Sequence, residues 1–228
     1  VTGVQVAVIS KAPVPGTVKT RLCPPYTFQA AAGLAAAALD DLVAAVGTAP
    51  AARRVLLLDG DHPVPAGWDV VPQRGDGLAA RLAHGYADLA RPGFTTLIVA
   101  GDAPQVDAAL LATAAACLDR QPVDAVFGPT DDGGFWALGL RRPEHGRLLL
   151  DVPMSTATTG ERTLAALHGH GLAVTLLPQL RDVDTAEDAA AVAAAYPHTR
   201  FAAAVRSAGL PAAGGMPDRV QRGLGAIG

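Results

Sequence analysis

Three cations stand close together near the start of the chain: Lys11, Lys19 and Arg21, within the segment Ser10 to Leu22, SKAPVPGTVKTRL. Pro13, Pro15 and Gly16 lie between them, barring a helix and shaping a tight excursion. The apolar run before it, from Val4 to Ser10, predicts a strand. In open parallel α/β sheets ligands bind beyond the carboxyl ends of the strands, where this loop would lie. Arg grips phosphate oxygens with a planar fork and Lys acts as a point charge, so the mixture suits a polyphosphate. The plain alternative is a solvated basic loop.

Carboxylates recur at comparable places. Asp102 follows the continuous apolar run TTLIVAG, so it should emerge at the same sheet edge, near the cationic loop. That placement suits Mg²⁺, which takes oxygen ligands from one or two protein carboxylates and from substrate phosphates. Asp102 could instead cap the turn at Ala103 and Pro104 or the helix beyond it. Asp184 and Glu187 in RDVDTAED have the spacing of a helix capping box, which would account for Asp184 without any ligand. Asp131, Asp132, Gly133 and Gly134 form a hairpin turn between VFGPT and FWALGL. The stretch Gln73, Gly75, Asp76, Gly77 reads as a connector whose glycines let backbone approach a ligand. Ser155 and Thr156 either line a pocket or cap a helix start. His168 and His170, two apart, cannot stack on one metal along a helix. Arg141 and Arg142 follow a strand and suit a solvated edge or an anion. No nucleophile and base pair emerges.

These residues need a scaffold. The 228 residues are 50% hydrophobic and 17% charged, a globular composition large enough for a packed core. The formal net charge of -3 offers no global field for nucleic acid or an anionic membrane. Cys23 and Cys117 match no metal or redox spacing and point to a reducing compartment. The opening VTGVQVAVIS carries no basic leader, and no apolar run reads as long enough to cross a bilayer, so a cytoplasmic location is expected. Short apolar runs alternate with alanine-rich helical stretches, the pattern of βα units around a mostly parallel sheet. Strands are predicted at Val4 to Ser10, from Arg54, from Trp68, up to Asp102, from Val123 to Gly128, through GFWALGL as a possible antiparallel pair, and through AVTLLPQL. Helices are predicted at Phe28 to Val46 (ended by Gly47 and Pro50), Gly77 to Leu89, Asp107 to Leu118, Gly160 to Leu167 and from near Thr185. One domain over 1–208 is expected, followed by a glycine- and proline-rich, loosely ordered tail at 209–228.

SKAPVPGTVKTRLCPP, PQRGDGLAARL, VAGDAPQV, GPTDDGGFWALGLRRP, the stretch Met154 to Thr156, and LRDVDTAEDAAAV together resemble an uncharacterised bacterial family. Its members carry glycosyltransferase labels tied to arsenosugar and radical-SAM/selenodomain gene clusters. The resemblance spans nearly everything before the tail. It implies a three-layer α/β/α GT-A-like nucleotide-diphospho-sugar transferase fold, shared with molybdenum-cofactor and phospholactate nucleotidyltransferases. By that resemblance Asp102 and Asp184 would bind Mg²⁺ or Mn²⁺, with Asp182 in support. Ser10, Gln73, Gly75, Asp76 and Gly77 would meet the nucleotide, and Asp131, Asp132, Gly133, Ser155 and Thr156 the acceptor. Lys11, Lys19 and Arg21 would act on the phosphates. The expected ligands are an NTP or NDP-sugar and a small acceptor, with neither nucleic acid nor membrane as partner.

Two features lean toward nucleotidyl transfer over glycosyl transfer. Asp102 stands alone in GDAP, without the DxD pair common in metal-dependent GT-A glycosyltransferases, and the basic loop supplies much charge for a triphosphate. A nucleotide-sensing module without catalysis is the remaining alternative.

Overall fold

The computed structural model describes residues 3–209. All of the expected tail beyond Gly209 lies outside the described residues. Seven strands form one sheet in the order β3-β2-β1-β4-β6-β5-β7. β1 (Gly3–Lys11) lies parallel between β2 (Arg53–Asp59) and β4 (Phe94–Ala100), and β3 (Asp69–Pro72) extends the sheet beyond β2. β6 (Phe135–Leu140) runs antiparallel to both β4 and β5 (Ala125–Pro129), as the hairpin predicts, and β7 (Val174–Leu176) lies parallel to β5.

Side chains alternate across a strand, and here both faces are apolar because helices cover both. Val4, Val6 and Val8 of β1 and Leu97 and Val99 of β4 face α1 (Phe28–Thr48) and α3 (Ala108–Asp119). Ala7 and Ile98 point the other way, toward α2 (Gly77–Leu89), the 3₁₀ segment Pro143–Leu149 and α4 (Thr159–Gly169). The result is the three-layer α/β/α arrangement. A third apolar cluster joins Leu22 and Tyr26, the first half of α1, Val183, α5 (Ala186–Ala195) and α6 (Arg200–Ala208). This cluster ties the end of the basic loop to the segment carrying Asp182 and Asp184.

The differences from expectation have local causes. α1 runs through Gly47 to Thr48, since Gly47 has open space and adopts helical backbone. By length and composition α1 could cross a bilayer, against the sequence reading, but Leu34, Leu39, Leu42 and Val46 are fully buried in two of the apolar clusters, marking a core helix. The last strand is only three residues long because Pro178 cannot donate to the ladder. Leu177 and Leu180 still donate to the Phe127 and Pro129 carbonyls at 2.8 and 3.0 Å, so the chain tracks β5 as far as the site. The 3₁₀ segment and α6 were not anticipated.

Candidate functional site

β1 and β4 end side by side, and the turn after β4 is pressed against β1. The Gly101 N–H donates to the Ile9 carbonyl at 2.9 Å. A Cβ on Gly101 would lie 2.7 Å from Ser10 Cβ, so only glycine lets the two strand ends meet this closely. The next residue, Asp102, is thereby delivered to the basic loop. That loop folds back on itself, with Thr17 donating to the Val14 carbonyl through both its N–H and its hydroxyl. It then passes through Lys19 in a left-handed conformation, φ 47°, into the 3₁₀ turn Thr20–Leu22.

The left-handed backbone turns Lys19 inward. Its side chain is 12% exposed, and its ammonium donates to Asp102 Oδ2 at 2.7 Å and to the Val183 carbonyl at 2.7 Å, with Asp184 Oδ1 at 3.7 Å. Arg21 pairs with the other oxygen of Asp184. The two carboxylates are thus gathered around one ammonium from opposite ends of the sequence. Burial alone would lower the Lys19 pKa; the carboxylates of Asp102, Asp182 and Asp184 outweigh it, and the pKa rises. The Lys19 charge holds the Asp102 carboxyl below the usual carboxylate range, against the opposing effect of burial.

Asp184 does not cap α5. The capping box belongs to the next register: Thr185 Oγ1 accepts from the Asp188 N–H, and Asp188 accepts from the Thr185 N–H. Asp102 likewise caps no helix, since Asp107 takes that role for α3. Both carboxylates are therefore available to cations. Mg²⁺ or Mn²⁺ fits this donor set: two hard carboxylates already share one cation, and a nucleotide's phosphates would complete the shell. Among the described residues no group of three or more His, Cys, Asp or Glu could hold a metal by itself.

Asp182 stands behind this pair. Burial, then the nearby Asp102 charge, pushes its carboxyl up to about 6. The ionised form is thus strained at neutral pH, and Asp182→Asn, which keeps an oxygen for the Val183 N–H, removes that strain. Allowing for solvent screening, about 1–2 kcal/mol of added stability is expected at pH 7, read as a rise of several degrees in Tm. An unchanged or lower Tm in calorimetry would refute it.

The other predicted nucleotide residues lie at the neighbouring strand ends. The Gln73 amide is committed to backbone, donating to the Ser10 and Leu57 carbonyls at 2.6 and 3.0 Å, and so braces β1 against β2. Arg81 completes the brace, reaching Gln73 Oε1 at 3.2 Å and Asp59 Oδ2 at 2.5 Å. Neither Arg81 nor Asp59 was singled out from sequence. Gly75 has φ 100°, and a Cβ there would strike Ala80 and His84 at 2.8 Å. Gly77 has φ 78° with open space around it, and Asp76 is the N-cap of α2 without a side-chain cap bond. Lys11 ends β1 exposed, and the Ser10 hydroxyl donates to its carbonyl.

On the predicted acceptor side, Asp132 is consumed by its own turn, accepting from the Thr130 hydroxyl and the Gly134 N–H. Asp131 instead reaches across: its Oδ1 accepts from the Asp182 N–H at 3.0 Å, tying the hairpin to the carboxylate segment. Arg181 lies 3.5 Å from both Asp131 and Asp188, and the buried Gln105 side chain donates to the Arg181 carbonyl at 2.5 Å. Gln105 was missed because nothing in GDAPQV signals its burial. Gly133 packs directly on the chain at Ala157, next to Ser155, which has φ 58°, and Thr156, whose N–H donates to Thr159 Oγ1. The acceptor candidates are therefore one assembly, joined through Asp131 to the Lys19 cluster.

The same fold recurs in solved structures. One from Desulfovibrio desulfuricans G20, provisionally assigned as a nucleotide-diphospho-sugar transferase, superposes with a TM-score of 0.79 at 23% identity, over 90% of this chain and 94% of that one. A CMP:2-keto-3-deoxy-manno-octonic acid synthetase complexed with CTP gives 0.54 at 10% identity, over 85% and 98%. Rv0371c of Mycobacterium tuberculosis H37Rv, in complex with manganese, gives 0.50 at 23% identity, over 82% and 95%. These likenesses establish the GT-A-like, nucleotidyltransferase-type α/β fold. No curated protein matches the chain. Residues 30–156 match the DUF2064 family, described as an uncharacterised protein conserved in bacteria, and the chain belongs to that family.

Proposed function

We propose that this protein is a cytoplasmic, divalent-metal-dependent nucleotidyltransferase that moves NMP from an NTP to a small phosphorylated or other oxyanionic acceptor and releases pyrophosphate. The observation that carries this reading is the cluster of Lys19, Arg21, Asp102 and Asp184 at the adjoining carboxyl ends of β1 and β4. Two of the loop's three cations are matched by carboxylates, so the loop alone offers a polyphosphate little net charge and the charge excess expected from sequence does not separate a triphosphate from a diphosphate. A divalent metal held by Asp102 and Asp184 would supply the missing charge and polarise the phosphates. The manganese complex of the structurally similar Rv0371c favours such a metal.

In this reading Lys11, Lys19 and Arg21 hold the triphosphate, and the Gly75 to Gly77 backbone approaches the base. The acceptor, placed by the Asp131 to Gly134 turn and the Ser155 to Thr156 connection, attacks the α-phosphorus with an anionic oxygen. The new P–O bond forms as the bond to the β-phosphate oxygen breaks, and pyrophosphate leaves against the cations. Positioning and electrostatics do the work, which suits a site with no nucleophile and base pair.

Glycosyl transfer from an NDP-sugar is the second reading, favoured by the likeness to the Desulfovibrio protein. The two separate on products. Incubation with the four NTPs, Mg²⁺ or Mn²⁺, and a panel of sugar phosphates and phosphorylated or carboxylated acceptors is expected to release pyrophosphate. Release of NDP from NDP-sugars, with no pyrophosphate from any NTP, would overturn the proposal.

A further inference from the structure

We infer that Lys19 is an exchangeable counter-cation: its ammonium holds the place of the divalent metal between Asp102 and Asp184, and the site therefore takes a metal–polyphosphate complex and not free metal. The inference rests on reading this cluster as a phosphate and metal site, but not on which bond is broken there.

An ammonium has three donors and no acceptor. In the structure Asp102 and the Val183 carbonyl each take a hydrogen bond at 2.7 Å, and Asp184 stands at 3.7 Å. With 12% of its side chain exposed, Lys19 is a largely buried cation balanced by these groups and by Asp182. A dication bound to Asp102 and Asp184 would face that ammonium a few ångströms away, competing for the same oxygens. Free metal must then displace a buried ammonium from both of its ligand carboxylates at once, leaving it only the charge of Asp182, because Arg21 already occupies the outer oxygen of Asp184.

A polyphosphate changes this balance. Its oxygens accept from an ammonium as readily as carboxylates do, and the flexible four-carbon stem of lysine lets the charge move while its backbone stays fixed. Lys19 then passes from carboxylate to phosphate in the same event that delivers the metal. Loop and metal would act in sequence, and the two ligands would each strengthen the other's binding by the same factor. The left-handed Lys19 backbone holds the stem directed into the carboxylates until that exchange.

The test uses equilibrium dialysis of the full chain against Mn²⁺, with and without inorganic tripolyphosphate as a base-independent probe; free Mn²⁺ and its tripolyphosphate complex equalise across the membrane, so the excess on the protein side is the metal held by the protein. Wild type is expected to bind Mn²⁺ alone weakly and at least tenfold more tightly with tripolyphosphate present. Lys19→Met is expected to bind Mn²⁺ alone at least tenfold more tightly than wild type, and tripolyphosphate alone more weakly. Lys19→Gln, which keeps a donor for the Val183 carbonyl, should behave in the same way. Should both variants fail to fold without metal, recovery of a cooperative thermal transition on adding Mn²⁺ supports the exchange, and no recovery overturns it. Folded variants that bind Mn²⁺ alone no better than wild type also overturn it, while leaving the metal site standing. If wild type binds no Mn²⁺ even with tripolyphosphate, the metal reading itself fails and the exchange with it.

Discussion

Asp102→Asn is expected to lower turnover by about 10³-fold at saturating nucleotide and metal, the scale on which removing one charge-stabilising group acts in a preorganised site. The substitution keeps the size of the side chain and removes its charge. Asp102 reaches the site because Gly101 packs on Ser10, and that contact is untouched. The fold should tolerate the change: the Asp102 side chain is 42% exposed, and Lys19 retains Asp184, Asp182 and the Val183 carbonyl. A loss of about 1 kcal/mol in stability is expected after solvent screening. Mn²⁺ affinity in the presence of tripolyphosphate should fall in parallel with turnover. A variant that keeps more than a tenth of its activity with unchanged Mn²⁺ affinity would remove Asp102 from the metal site.

The placement of Asp102 was legible because its causes are local and periodic. A continuous apolar run such as TTLIVA is what a strand buried on both faces requires, and a residue just beyond it must emerge at the carboxyl edge. The alternation of βα units carried the sheet in the same way. Partnership across the chain was not legible. A lysine at position 19 gives no sign that its ammonium will meet a carboxylate 83 residues on, and the basic loop therefore read as free positive charge. The same limit applies to Gln73, whose amide is spent on two backbone carbonyls of neighbouring strands.

Asp184 shows how tertiary packing resolves a local ambiguity. DTAED offers two overlapping capping boxes, Asp184 with Glu187 and Thr185 with Asp188, and sequence spacing favours neither. Val183, 1% exposed, is drawn into the apolar cluster with Leu22 and α1, fixing the backbone one residue before Asp184. Thr185 then falls at the N-cap with extended backbone, and Asp184 is left facing Arg21 and Lys19. The buried valine thus accounts for Asp188 completing the cap while Asp184 faces Lys19 and Arg21. α6 escaped notice for a different reason: RFAAAVRSA is only nine residues long, and although Phe201 and Val205 one turn apart mark its packed side against the exposed Arg206 and Ser207, so short a stretch carries little periodic signal.

Gly133→Ala is expected to destabilise the fold by about 4 kcal/mol or more, in the range reserved for overpacked or strained sites. Its φ of 88° already disfavours any Cβ, and an added one would sit 2.0 Å from the Ala157 carbonyl oxygen. That oxygen belongs to backbone and cannot rotate away. Nor can the turn retreat easily, because the Gly133 carbonyl accepts from the Gly160 N–H at 2.7 Å, an approach so close that a Cβ on Gly160 would lie only 3.0 Å from the Gly133 and Gly134 carbonyls. For a chain of this size the loss should lower Tm by about 10 °C or more. The displacement also has a path to the chemistry: Asp131, two residues earlier, holds the Asp182 N–H, so a shifted turn loosens the segment bearing Asp184. Mn²⁺ affinity with tripolyphosphate should therefore weaken at temperatures where the variant remains folded. Gly77→Ala provides the comparison, since Gly77 has a similar φ of 78° but open space around it, and only the backbone strain of about 1–2 kcal/mol is expected. If the two alanine variants melt within about 2 °C of each other, the contact between the turn and Ala157 does not hold the proposed acceptor side together.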